Sequence, residues 1–272
     1  MKVIFRVDAS IEMGTGHVMR CLSLAEKLKN NNYRSIFVSR EHKGNLNHLI
    51  KSQGHGLYSL EANREISSSL DDLNWNKHAH WLGETLDCDS DETKRILKKE
   101  LPDWLVVDHY ALDANWEKEV QSLTTKLMVI DDLADRQHES NLLLDQTYGR
   151  QKEDYKGLLP DLCKVLVGSK HSLLRNEFAI YREPSLRRRS TNQDLRSILI
   201  SMGGSDKDNF TALVLKQLKN CSLPSYTEIK VVLASSSPWI KEVTKISNGA
   251  EAVVSKLFSN NLEDSSNPVV NA

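Results

Sequence analysis

The sequence predicts an α/β protein built from two parallel-sheet domains. Three observations carry that expectation. Short apolar runs alternate with helix-periodic segments through the first half of the chain. The run at 104–107 is unbroken, as in a strand covered on both faces. A glycine break follows a strand-like run in each half, at Gly14-Thr15-Gly16 and at Gly203-Gly204. The length of 272 residues, at about 150 per domain, gives a prior near two domains.

Residues 2–7 form the first β-branched run, and its charged Arg6 and Asp8 make it a strand and not a signal peptide. Residues 17–28 place Val18, Leu22, Ala25 and Leu28 on one helical face. A strand follows at 34–38 and a helix at 46–53, closed by Gly54. Residues 61–72 are polar and read as helix or surface loop. Helices are expected at 93–101, stopped by Pro102, and at 116–123, with strands at 104–107, 126–130 and 142–144. Residues 148–160 read as a loop with some helix. Residues 183–193 contain Pro184 and Arg187-Arg188-Arg189 and read as a linker, the arginines forming a solvated hinge or a phosphate patch. A second strand–loop–helix unit then opens: strand 197–202, glycine loop, helix 209–218, strand 230–233, helix 237–246 and a third strand at 252–254. The polar, aperiodic residues 259–272 make the second domain look shortened.

Composition excludes several functions. Hydrophobic residues at 39% and charged residues at 27% fit a globular chain rather than a disordered or collagenous one. Lys plus Arg number 36 against 37 Asp plus Glu, a net charge of −1 that argues against a nucleic-acid partner. No run of 18 apolar residues predicts a membrane span. Cys21, Cys88, Cys163 and Cys221 are dispersed without a CxxC pair, so reduced thiols in a cytoplasmic protein are expected.

The chemistry-bearing residues sit where strands end. Asp8 to Arg20 (DASIEMGTGHVMR) runs from a strand through Gly14 and Gly16 into a helix. Such a junction offers backbone N–H groups and a helix dipole to an anion. It is neither the dinucleotide fingerprint, which fails at Met19, nor a Walker loop. The dipole also disfavours imidazolium at His17, leaving a neutral ring able to take a proton, and Arg20 shares its helix face. Asp108-His109-Tyr110, Asp131-Asp132 and Asp145 each follow a strand. These carboxylates suit sugar hydroxyls, orientation of a His or a second proton transfer, and equally suit helix capping. ILISMGGSD at 198–206 repeats the glycine junction, with Gly203, Gly204 and Ser205 placed for a phosphate and Asp206 and Asn209 close behind. His78 and His80, with Trp75 and Trp81, lack the spacing of a zinc site and read as a loop or cleft rim. Ser235-Ser236-Ser237 reads as a binding loop or a turn.

Five blocks together resemble a known family: RVDAS…GTGHVMRCLSLA at 6–25, WLVVDHYALDANWE at 104–117, VIDDLADRQHESNLLLDQ at 129–146, LVGSKHSLLRNEF at 166–178 and ILISMGGSD at 198–206. They are similar to the UDP-sugar hydrolases of pseudaminic acid (nonulosonic acid) biosynthesis, over roughly residues 1–240. The resemblance implies a GT-B fold of two Rossmann-like domains around a cleft, related to the glycosyltransferase that adds GlcNAc in peptidoglycan synthesis. It divides this chain into residues 1–185, the sugar side, and 186–272, the UDP side. It implies inverting, metal-independent hydrolysis of a UDP-linked 2,4-diacetamido-2,4,6-trideoxyhexose by a monomer without a cofactor. The motif G-x-G-H-x-x-R falls on Gly14, Gly16, His17 and Arg20, with His17 as general base. Gly203, Gly204 and Ser205 would face the diphosphate. Asp8, Asp108, Tyr110, Asp131 and Asp132 match family blocks as substrate-binding candidates. Beyond residues 230–233 the family's glycine-rich block has no counterpart here. Two alternatives therefore stay open: a UDP-sugar-dependent glycosyltransferase on the same fold, or a truncated non-catalytic remnant.

Overall fold

The computed structural model describes residues 1–63, 76–192, 194–203, 206–234 and 237–247, and the backbone of 252–257. The chain divides into two compact units, Met1–Ile180 and Tyr181–Ala272.

The first unit holds a seven-stranded parallel sheet. Its strands are β1 (Lys2–Val7), β2 (Arg34–Arg40), β3 (Gly56–Leu60), β4 (Trp104–Asp108), β5 (Lys126–Ile130), β6 (Leu142–Asp145) and β7 (Lys164–Val167). Their order is β3-β2-β1-β4-β5-β6-β7. Side-chain alternation sends Val3, Phe5 and Val7 into a core with α1 (Gly16–Lys29) and α2 (Asn47–Ser52). Ile4 goes to the opposite core, with α3 (Leu86–Glu100) and α4 (Ala114–Val120). Both faces are thus covered, which is why central strands such as β4 and β5 are largely apolar. The strand order reverses direction between β1 and β4. Ligands of open parallel sheets bind in the crevice at such a switch point, beyond the carboxyl ends of the strands. His17 follows β1 there, and Asp108 ends β4.

The structure departs from the sequence reading at four places. Strands β3 and β7 were not expected. Each lies at a sheet edge and is only half-buried, so neither shows a strong apolar run. Helix α3 starts at Leu86 and not at 93, with Thr85 Oγ1 accepting from Cys88 N at 3.2 Å. Its first turns carry Asp87 and Asp89, favourable against the helix dipole but invisible to an apolar period. The expected linker at 183–193 is instead largely helical. Helix α5 runs unbroken over Asn176–Thr191, with Pro184 inside it and Arg187 Nε donating to Glu183 at 3.1 Å.

Arg6, expected as an interruption of an apolar run, is fully buried and lies in a charge cluster. Its guanidinium reaches Asp8 Oδ1 and Asp89 Oδ2, each at 2.6 Å. Arg40 Nη2 also meets Asp89 Oδ2, at 2.7 Å, and Trp116 Nε1 donates to Asp89 Oδ1. Asp8 Oδ1 accepts the Arg40 backbone N–H at 2.7 Å, and Asp8 Oδ2 lies 3.2 Å from His109 Nε2 and 3.6 Å from His42 Nε2. Buried charges survive only when paired in this way.

His109 Nδ1 accepts the Ala111 N–H at 3.1 Å, so Nε2 carries the ring proton and faces Asp8 Oδ2. Burial pushes the His109 imidazole below its ordinary value although Asp8 opposes it. A depressed folded-state value gives stability that is complete above the ordinary value of about 6.5 and is lost as pH falls. The melting temperature is therefore expected to drop between about pH 7 and pH 5. His109→Gln, whose amide keeps one donor and one acceptor, should shed part of that drop. Identical pH slopes in the two proteins would contradict this role.

The second unit is a three-stranded parallel sheet in the order β10-β9-β8, from β8 (Ser197–Ile200), β9 (Glu228–Ala234) and β10 (Ala252–Leu257). Helices α6 (Phe210–Leu218) and α7 (Ile240–Ser247) contribute Ala212, Leu215 and Val243 to a core with Ile200, Val231 and Leu233.

Candidate active site

Five of the sequence-predicted residues meet at the β1/β4 crevice: His17, Arg20, Asp108, Tyr110 and Asp132. The loop from β1 is folded on itself by a bridge between Ser10 and Gly14, where Gly14 adopts φ +81°. That conformation comes without strain to glycine. The chain then enters α1 at Gly16, and the Thr15 side chain makes no capping hydrogen bond. His17 occupies the first turn and Arg20 the next position on the same face.

Asp108 is the hub. It is fully buried at the end of β4. Arg20 grips it through Nε to Oδ2 and Nη2 to Oδ1, both 2.6 Å, in the forked geometry of a guanidinium–carboxylate pair. His17 Nδ1 lies 2.6 Å from Asp108 Oδ1. Burial alone would raise the Asp108 carboxyl, but the Arg20 guanidinium, together with the His17 hydrogen bond, holds it well below the usual carboxylate range. An ionised carboxylate can only accept, so the His17 proton resides on Nδ1 and Nε2 keeps its lone pair. Among the described residues Nε2 has no hydrogen-bond partner.

Arg20 also extends Nη1 to Asp132 Oδ2 at 2.7 Å, and the Tyr110 hydroxyl donates to Asp132 Oδ1. Burial, and then the Asp132 carboxylate, push the Tyr110 phenol up, so it is held as a donor. The Tyr110 ring stands edge-on to His17, with centroids 4.5 Å apart.

Other expected residues go elsewhere. Asp8 is committed to the Arg6 cluster described above. Asp131 does not join Asp132. It turns inward, with Oδ1 accepting from Arg136 at 2.8 Å and Oδ2 from Ala134 N and the Tyr155 hydroxyl, each at 2.9 Å. Asp145 takes the same Tyr155 hydroxyl at 2.9 Å and Arg150 Nε at 2.5 Å. Neither serves as a helix cap; that task falls to Asp113 at α4. Gly203, at φ +85°, follows β8, while Gly204, Ser205, Trp75, Ser235 and Ser236 lie outside the described residues, as do 64–72. Asp206 accepts from Phe210 N and Thr211 N at 2.9 Å and so ties the start of α6 to this loop.

Three supporting residues escaped the sequence reading. Arg136 lies 5.7 Å from the Tyr110 ring centroid while holding Asp131 and the Leu112 carbonyl. Arg150 Nη2 donates to the Asp132 carbonyl at 2.8 Å, fixing the loop that presents Asp132. Tyr155 joins two strand-end carboxylates. No helix or strand spacing rule marks these groups, because Arg136 and Arg150 bind carboxylates earlier in their own loops while also reaching Leu112 and Asp132, and Tyr155 bridges two strand ends. Among the described residues no cluster of His, Cys, Asp and Glu has the arrangement of a metal site, and no helix is long and apolar enough to cross a membrane.

No family model matches the chain. It is 26% identical over 246 residues to the UDP-2,4-diacetamido-2,4,6-trideoxy-β-L-altropyranose hydrolase of Campylobacter jejuni, covering 90% of this chain and 74% of that protein. It is also 26% identical over 221 residues to an uncharacterised protein of Methanocaldococcus jannaschii, covering 80% of this chain but 40% of that one. Among solved structures, Acinetobacter baumannii MurG aligns over 96% of this chain and 68% of its own, with TM-score 0.54 and 12% identity. TcCGT1 in complex with UDP aligns over 95% and 73%, with TM-score 0.50 and 10% identity. The chain thus resembles, at a distance, a UDP-sugar hydrolase, and it has the fold of the GT-B glycosyltransferases.

Proposed function

We propose that the protein hydrolyses a UDP-linked 2,4-diacetamido-2,4,6-trideoxyhexose to UDP and free sugar, a step of pseudaminic acid biosynthesis, with His17 as the general base. The observation that carries this is the His17–Asp108 pair. A buried carboxylate that Arg20 keeps ionised fixes the ring and leaves Nε2 to take a proton from water. Water so activated attacks the anomeric carbon directly, and the C1–O bond to UDP breaks as the new C–O bond forms. No covalent intermediate is needed, so the configuration inverts. Charge leaves with UDP, and the expected steadying groups in the first unit are the N–H groups at the start of α1. Asp132 and Tyr110 are assigned to sugar hydroxyl and amide groups. Nothing in this scheme calls for a metal. The similarity to the Campylobacter hydrolase over 90% of the chain supports the choice of substrate.

The test is UDP release from UDP-2,4-diacetamido-2,4,6-trideoxy-β-L-altropyranose with no acceptor present. Steady release supports hydrolysis; release only on adding an acceptor would overturn it. That second reading, a glycosyltransferase, has one observation in its favour. A cleft beside Gly16 and Arg20 is lined by Met19, Leu173, Leu174 and Phe178, with Leu174 and Phe178 more than half exposed, as an apolar acceptor would require.

A further inference from the structure

We infer that His78, Trp81 and Tyr110 form an aromatic wall that receives the apolar face and methyl groups of the sugar. The inference rests on the substrate class proposed above and names the part of the site that selects it.

The three rings contact one another. Centroids are 4.8 Å apart for His78 and Trp81, 5.4 Å for His78 and Tyr110, and 5.8 Å for Trp81 and Tyr110, the last pair stacked at 27°. The wall adjoins the proposed base directly, since Tyr110 also meets His17 at 4.5 Å. All three rings are only half-buried, unlike Trp116, which the core covers. Large aromatic surface left partly open beside a reactive group is the usual lining of a small-molecule site.

The wall is also held in place. His78 and Trp81 sit on a short turn, closed by Trp81 N donating to the His78 carbonyl at 2.9 Å. Asn76 latches that turn to the loop bearing Tyr110. Its Nδ2 donates to the Ala111 carbonyl at 3.0 Å, and its Oδ1 accepts from His78 N at 2.8 Å. The wall therefore exists before any ligand arrives, which lowers the ordering cost of binding. Burial also pushes the His78 imidazole down, so it faces the ligand uncharged near neutral pH.

This surface discriminates by chemistry. A 2,4-diacetamido-2,4,6-trideoxy sugar presents two acetamido methyls and a C6 methyl where a common hexose presents hydroxyls. Those methyls gain by leaving water, whereas hydroxyls set against ring faces would lose hydration without a partner.

The test compares wild type, Trp81→Ala and Trp81→Phe. Two quantities are measured: KM and kcat for acceptor-free UDP release, and transfer of magnetisation from protein to the methyl protons of the free diacetamido-trideoxy sugar. Trp81→Ala should raise KM about five-fold or more and weaken the methyl signals, with the Kd for UDP unchanged. Trp81→Phe should recover most of both. Unchanged KM and methyl signals in Trp81→Ala would overturn the wall. If wild type binds the sugar through these methyls but releases no UDP, the wall stands and hydrolysis fails. If wild type shows no methyl signal at saturating sugar, the wall fails whatever the rate of UDP release.

Discussion

Replacing His17 by alanine is expected to lower kcat for UDP release by on the order of 10²–10⁴-fold, the usual contribution of a positioned general base. The Kd for UDP should hardly change, because the imidazole acts on water and not on the nucleotide. The fold should survive as well. His17 is 6% exposed, and its loss leaves Asp108 still gripped by Arg20 through two hydrogen bonds of 2.6 Å. Steady-state rates together with a UDP titration of the variant test this. Retained kcat would remove His17 from the reaction, whereas a lost Kd with intact kcat would make it a nucleotide ligand.

Asp108→Asn should have the second large effect, and it should strike both activity and stability. In either orientation the amide sets its NH2 group against an Arg20 N–H, and with its oxygen at the Oδ2 position that NH2 also faces His17 Nδ1. Nδ1 would then have to accept, the proton would move to Nε2, and the lone pair needed by water would be lost. A fall in kcat of about 10³-fold or more is expected, as where other carboxylate–histidine pairs are broken this way. Arg20 would also keep its charge with half its partner gone. Breaking a buried ion pair on one side typically costs about 3–5 kcal/mol, and the remaining Arg20 contact to Asp132 places the expected loss toward the lower end. Thermal unfolding and kcat measured on the same preparation separate the two effects. A stable but inactive Asp108→Asn would confine Asp108 to orienting His17. An unstable but fully active one would make it structural alone.

Much of this site was legible because it is local. Gly14, Gly16, His17 and Arg20 fall within seven consecutive positions, and the strand before them is a short run of apolar residues interrupted by Arg6. Asp108 was legible as a strand-end carboxylate, since the ends of parallel strands are where such sheets bind ligands. What could not be read was how the strand-end carboxylates divide. Asp131 and Asp132 are adjacent, yet one faces Arg136 and Tyr155 while the other faces Arg20 and Tyr110. Successive side chains leaving a strand point to opposite sides, so adjacency in sequence implied separation in space. Asp8 shows the same limit. Its position at the end of β1 resembles that of Asp108 at the end of β4, but Arg6 and His109 occupy it from within. The partners of Asp89 are equally non-local, being contributed by Arg6, Arg40 and Trp116 on three other elements. In the second unit the strand–glycine–helix junction after β8 was visible, because turn chemistry is written in neighbouring residues. The helix over Asn176–Thr191 was hidden by Pro184 and by a run of arginines that reads as solvated coil.

The central claim is that water, activated at His17, attacks the anomeric carbon. It is tested most directly by running the reaction without acceptor in ¹⁸O-water and locating the label in both products at early time. The account predicts UDP released with no ¹⁸O in its phosphates, and free sugar carrying ¹⁸O at C1 with inverted configuration. Label in the β-phosphate of UDP would show attack at phosphorus, and retained configuration at C1 would show a covalent intermediate. Either result would contradict the mechanism drawn from the His17–Asp108 pair.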